Sequence, residues 1–250
     1  MNRQQYLHAR NTMGRLLDMG VVPVVNENDA IADDEIRFGD NDRIAALVAQ
    51  LIGADVLVML TDAAGLFTSD PRLDDTASLI EEIVEIDHEL EQVAGGTGSA
   101  RGSGGMATKI AAAKIAAWSG VRTVIAAADR ESVIHDAVNG VTGTGTVVQP
   151  RSQRLAARKV WIAFAVGSSG TLTVDAGAQA ALVARNKSLL AAGVTKVEGE
   201  FGDDEAVEVV GPDGQVFAKG LVRMTADQLR TEGADAGMII HRDELVVLPS

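Results

Sequence analysis

The sequence predicts an α/β protein: a mostly parallel sheet sandwiched by helices over residues 1–150, followed by a small β-rich domain over residues 157–250. Short apolar runs such as Val56–Leu60 and Val121–Ala127 alternate with stretches whose apolar residues recur at helical spacing. Buried strands alternating with helices build parallel sheets covered on both faces. After Pro150 the runs shorten, and EAVEVVGPDGQVFAKGLV sets Pro-Asp-Gly between two alternating strands, which is hairpin turn chemistry.

Taken in order, residues 2–18 read as a helix, with Tyr6, Met13, Leu16 and Leu17 near one face and Gly20 as its stop. VVPVV at 21–25 reads as a short buried strand, irregular or at an edge because Pro23 has no N–H for a ladder. A polar stretch runs to Asp42, and Ile44, Leu47, Val48, Leu51 and Ile52 then mark a second helix. Val56–Leu60 is the next strand. An acidic segment (74–91), a glycine-rich loop (95–105), an alanine-rich helix (106–119) and the strand Val121–Ala127 complete the first domain. In such sheets ligands sit at the carboxyl ends of strands.

The chain is 46% hydrophobic, which supplies a core and excludes disorder as the dominant state. Its longest apolar runs fall far short of the roughly 18 to 20 residues that cross a bilayer, and MNRQQYLHAR is too polar for a signal peptide. A soluble, cytoplasmic protein without a membrane partner is expected. There are no cysteines, so disulfides, thiolate nucleophiles and Cys-based zinc sites are excluded. A net charge of −13, an ordinary balance for a soluble protein, gives no general attraction for nucleic acid. Residues 157–250 hold 9 basic and 13 acidic side chains, with no basic stripe.

Three features can carry chemistry. GGTGSARGSGGMATK (95–109) holds six glycines in fifteen residues and opens onto a helix. Glycines let backbone N–H groups approach phosphate oxygens, and a helix N-terminus adds about half a positive charge. Lys109 would add a full one. The same segment also suits a mobile surface loop. It further fits a dinucleotide pattern through Gly102, Gly104 and Ala107 with Asp129 beyond, an NAD-binding reading that requires a strand running into the first glycine. The second feature, Leu60-Thr61-Asp62, ends a strand where a hydroxyl and a carboxylate can hold a nucleotide or simply cap a turn. The third is the pair NEND (26–29) and GDND (39–42), suited to gripping an ammonium group and orienting lysines, or to capping the helix that follows. His8, His88, His135 and His241 show no ligand spacing, and no GxSxG elbow occurs.

The order VVPVVNENDA, FGDND, VLVMLTDAAGLFTSDPR, GSGGMATKIAAAKIA and a β-rich tail closely resembles the glutamate 5-kinases of the amino acid kinase family over essentially the whole chain. NEND, GDND and GGMATK separate it from relatives acting on aspartate, acetylglutamate, carbamate or UMP. The tail resembles a PUA domain. The resemblance implies an amino acid kinase-like fold and ATP-dependent phosphorylation of the L-glutamate γ-carboxylate, the first step of proline biosynthesis. It implies that Lys109 and Asp42 are catalytic, Asp42 by positioning lysines, and that Asp29 and Asn41 contact glutamate. Thr61, Asp62, Ser103, Gly104, Gly105, Met106, Ala107, Thr108 and Lys109 would contact ATP. Mg²⁺ would arrive with the nucleotide rather than on protein ligands, proline would act as feedback inhibitor, and the protein would form a homo-oligomer.

The family's kinase domain begins before the position of Met1. The earlier part carries a glycine-containing strand-loop, a second catalytic lysine and a serine that binds glutamate. Residues 1–250 by themselves are therefore expected to have little or no kinase activity, and to expose a sheet edge and apolar helix faces that favour association. The alternative to the kinase is a catalytically incomplete chain that binds only nucleotide or partners. RNA binding by the PUA-like tail is not expected, because the tail lacks interleaved basic and aromatic residues.

Overall fold

The computed structural model describes residues 3–26, 40–95 and 105–248. Asp29, Ser103 and Gly104 lie outside the described residues. The chain divides into two compact units, Arg3–Leu155 and Ala156–Ser250.

In the first unit, α1 (Arg3–Asp18) and α2 (Asp40–Ile52) are joined by the Tyr6 hydroxyl, which donates to Gln50 Oε1 at 2.8 Å. Gly20, with φ +72, stops the first helix in the left-handed region that glycine favours. The expected buried strand at 21–25 is not one: the segment pairs with no described strand, and Val22 and Val24 are 83% and 95% exposed. Pro23 removes a ladder donor, and an apolar run becomes a buried strand only when a neighbour supplies hydrogen bonds.

The sheet contains β1 (Val56–Thr61), β2 (Glu82–Ile83), β3 (Arg122–Ala127) and β4 (Thr146–Val148) in the order β1-β3-β4-β2. Pairs β1–β3 and β2–β4 are parallel, whereas β3–β4 is antiparallel. The link from β3 to β4 contains α5 (Val133–Asn139), which packs against β1 and β3, and β4 then enters the sheet from the end that β3 has just left.

The helices α3 (His88–Gly95) and α4 (Gly105–Trp118) complete the unit. Val124 and Ala126 pack with Val133 and Ala137 on one face of the sheet, and strand alternation turns Thr123 and Ile125 to the other, with α4 packed against β3. Ile110, Ala112, Ala113, Ile115, Ala116 and Ala117 of α4 are all buried, since alanine lets the helix approach both sheet and α2 closely. Strand β1 is less buried than its composition suggests, with Leu60 exposed on its edge.

Gly145 lies so close to β3 that a Cβ would press on the Ile125 carbonyl oxygen and on Ala126. Gly145→Ala is therefore expected to destabilise the unit by about 1–3 kcal/mol, read as a lower Tm.

Short connections lead α2 into β1 and α4 into β3, so each helix runs back along the strand that follows it. Both helix starts consequently lie at the carboxyl ends of the parallel strands β1 and β3.

In the second unit, α6 (Ala157–Val160) continues as a π-helical turn, Trp161–Ala165. The main sheet has the order β11-β9-β8-β5-β7, formed by β5 (Gly170–Val174), β7 (Val194–Gly199), β8 (Ala206–Val210), β9 (Val216–Leu221) and β11 (Leu245–Val247). The expected hairpin is β8–β9, closed at Gly214 with φ +81. A two-stranded pair, β6 (Leu189–Leu190) with β10 (Met238–Ile240), and helices α7 (Ala176–Arg185) and α8 (Ala226–Glu232) flank it. Leu172, Leu182, Val207, Val209 and Ile239 form the core.

Candidate active site

Two residue clusters far apart in sequence meet where α2 and α4 begin. Lys109 Nζ donates to both oxygens of Asp42, at 3.1 Å (Oδ1) and 3.2 Å (Oδ2). The Thr108 hydroxyl donates to Oδ2 at 2.7 Å and approaches the Gly105 carbonyl oxygen at 3.2 Å. The side chains of Lys109 and Asp42 are 14% and 20% exposed. This is a shielded ion pair, one edge of which still reaches solvent. The ammonium spends two of its three N–H donors on the carboxylate, and one remains for an incoming anion. Beside it, the first N–H groups of α4 have no intrahelical acceptors and carry the positive end of the helix dipole.

Gly105, Met106 and Ala107 occupy that first turn, and Asn41 lies exposed next to Asp42. Lys114 Nζ donates to Glu91 Oε1 at 2.6 Å, tying α4 to α3 across the base of the glycine-rich segment. The element before that segment is the helix α3, whereas a dinucleotide fingerprint needs a strand there. The NAD-binding reading of Gly102, Gly104, Ala107 and Asp129 is thereby corrected.

Thr61 ends β1 in register with Ala127 of β3, and its hydroxyl donates to Asp62 Oδ1 at 3.0 Å. Asp62 is exposed at the carboxyl end of the parallel pair, the same end as the starts of α2 and α4. The chain then enters a built loop. The Leu66 N–H donates to Thr146 Oγ1 at 2.8 Å in a buried contact, Phe67 bridges Leu79, and the Ser69 hydroxyl donates to Asp74 Oδ2 at 2.7 Å. A Cβ at Gly65 would strike Thr146. Gly65 and Thr146 were not singled out from the sequence; the glycine in AAGLF was the available signal, while a lone threonine some eighty residues on gives none.

At the loop tip, hydrogen bonds from Arg72 hold the half-buried Asp70 below its ordinary value of 3.8. Asp74 is lowered by hydrogen bonds from Thr76 and then Ser69. Arg72 is raised, chiefly by Asp70, with a smaller contribution from Asp62. A depressed carboxylate contributes to loop order above its unfolded value, and this contribution fades as pH falls through the lower folded value. In a carboxyl titration followed by NMR, Asp74 should titrate below 3.8, and Ser69→Ala combined with Thr76→Ala should raise it toward that value, the Thr76 backbone N–H contact remaining.

Among the described residues no group of three or more His, Asp or Glu side chains is placed to hold a metal ion. None of their helices is long and apolar enough to cross a membrane.

A helix-flanked, largely parallel sheet with a lysine–aspartate pair and a helix start at its carboxyl edge defines a phosphate-handling α/β protein. The profile of the amino acid kinase family matches residues 1–127, and that of the PUA domain matches residues 170–236. The chain belongs to the amino acid kinase family. The glutamate 5-kinase of Pseudomonas putida (strain W619) is 46% identical over 260 residues, covering 99% of this chain and 70% of that protein. The glutamate 5-kinase of Vibrio vulnificus (strain YJ016) is 44% identical, with 99% and 68% covered. Within the family, the chain groups with the glutamate 5-kinases. Among solved structures, a carbamate kinase from Giardia lamblia bound to AMP-PNP is 24% identical with TM-score 0.40, covering 57% of this chain and 49% of that one.

Proposed function

We propose that the protein transfers the γ-phosphoryl group of ATP to the γ-carboxylate of L-glutamate, giving γ-glutamyl phosphate for proline biosynthesis in the cytoplasm. The observation that carries this reading is the Lys109–Asp42–Thr108 cluster at the start of α4. Glutamate's carboxylate, with an ordinary pKa near 4.3, is already ionised at neutral pH, so the reaction needs no general base. One carboxylate oxygen forms a bond to the γ-phosphorus, the bond to the β,γ-bridging oxygen breaks, and ADP leaves with the electron pair.

The difficulty is anion meeting anion. Two unit charges about 4 Å apart repel by roughly 4 kcal/mol at an effective dielectric of 20, worth about a thousandfold in rate. Lys109, kept in place by Asp42, and the free N–H groups of Gly105, Met106 and Ala107 offset this repulsion by electrostatics and position. Asp42 is a positioning residue in this scheme. Thr61 and Asp62 hold the nucleotide at the end of β1, and the run from Ser103 to Lys109 surrounds its phosphates. Asp29 and Asn41 hold glutamate, with Asp29 suited to its ammonium group. Magnesium would arrive with the nucleotide and would supply charge neutralisation on its phosphates. Inhibition by proline and assembly into a homo-oligomer belong to the same reading.

The test is ADP formation by the full gene product with glutamate, aspartate, carbamate or UMP as acceptor, with hydroxylamine present to trap acyl phosphate. Glutamate alone should stimulate ADP release, with hydroxamate formed in equal amount. ATP binding without glutamate-dependent ADP would favour a nucleotide-binding chain that does not catalyse.

A further inference from the structure

The second unit contains a cavity of about 700 Å³ between α7, the turn that follows it and the start of the β10–β11 connection. Gly177, Ala178 and Ala181 leave the helix side of the groove without bulk, and Leu182, Leu189 and Leu190 give it an apolar floor. A volume of this size suits a small organic molecule.

The polar groups at its rim are nearly all donors. Lys187 has no hydrogen-bond or ion-pair partner for its ammonium among the described residues, although most other basic side chains of this acidic unit are paired. Arg242 reaches Asp243 only at 3.8 Å, and Asp243 is largely exposed. The Ser188 oxygen accepts the Arg242 backbone N–H at 3.1 Å, which leaves its hydroxyl proton to give. His241 Nδ1 accepts the Asp243 N–H at 3.2 Å, which places the ring proton on Nε2 as a further donor. The cavity's one carboxylate, Asp175, is engaged as the cap of α7, accepting from the Ala178 N–H at 2.7 Å. Lys187, and Arg242 with only the exposed Asp243 facing it at 3.8 Å, stand against an Asp175 already occupied as a cap, which leaves a donor-rich rim over an apolar floor.

We infer that this cavity binds a small organic anion, a carboxylate or phosphate monoester carrying a short aliphatic body. Lys187 and Arg242 take the anionic head and the leucine floor takes the body. The inference uses no residue of the kinase site.

Saturation-transfer NMR on the full gene product tests it with hexanoate, butyl phosphate and the neutral hexanamide as probes. Saturable binding of hexanoate or butyl phosphate is expected, and comparing the two identifies which head group is preferred. Hexanamide should bind about tenfold more weakly. Lys187→Gln and Arg242→Gln should each weaken the favoured anion by about tenfold, and both positions are exposed enough that Tm should hold. Equal binding of hexanamide, unchanged affinity in both variants, or no binding of either anion would each overturn the inference. So would displacement of the bound probe by an unstructured oligonucleotide at far lower concentration, since the groove would then serve a polymer.

Discussion

Lys109→Ala in the full gene product is expected to lower kcat by about a thousandfold, the rate equivalent of the anion repulsion that the lysine is proposed to offset. The loss should fall mainly on kcat, because a charge matched to the transferring phosphoryl group acts most strongly when that group is midway. Lys109→Arg should not restore it, since a planar guanidinium cannot reproduce the point charge that Asp42 and Thr108 accommodate. Lys196→Ala provides the comparison: this exposed lysine pairs with Glu198 in the second unit, and its loss should leave kcat unchanged. Steady-state kinetics on the three variants reads all of these outcomes.

Asp42→Asn should cost about a hundredfold in kcat, the scale on which small displacements of a reacting group are felt. An amide cannot fix the ammonium through two charge-assisted contacts, so Lys109 would sample several positions. The sharper expectation concerns the double variant. If Asp42 acts through Lys109, adding Asp42→Asn to Lys109→Ala should cost little more than Lys109→Ala alone. Multiplying effects would show that Asp42 has a separate role, and the positioning account would fail.

The sequence made the helices and the site legible to different degrees. The helix starts were readable because Asn and Asp clusters and glycines precede apolar residues at helical spacing, and α2, α4 and the β8–β9 hairpin lie where those signals stand. The identities of Asp42 and Lys109 were legible from GDND and GGMATK, but their contact was not. It joins residues 67 positions apart on two helices packed side by side, which local pattern cannot encode. VVPVV misled because apolar, β-branched composition reports a wish for burial, whereas strand formation depends on a partner's backbone. The antiparallel turn into β4 was hidden for a related reason: strand direction is set by how the connection and its neighbours pack, not by the composition of either strand.

The central claim is that a carboxylate oxygen of glutamate attacks the γ-phosphorus of ATP. Glutamate labelled with ¹⁸O in its γ-carboxylate, incubated with the full gene product, ATP and hydroxylamine, tests this directly. Hydroxylamine cleaves γ-glutamyl phosphate at the acyl carbon, so the bridging oxygen leaves with phosphate. Phosphorus NMR should then show one ¹⁸O in each released phosphate, in step with hydroxamate. Phosphate released without label would mean that water or another acceptor takes the phosphoryl group, and the carboxylate mechanism would be contradicted.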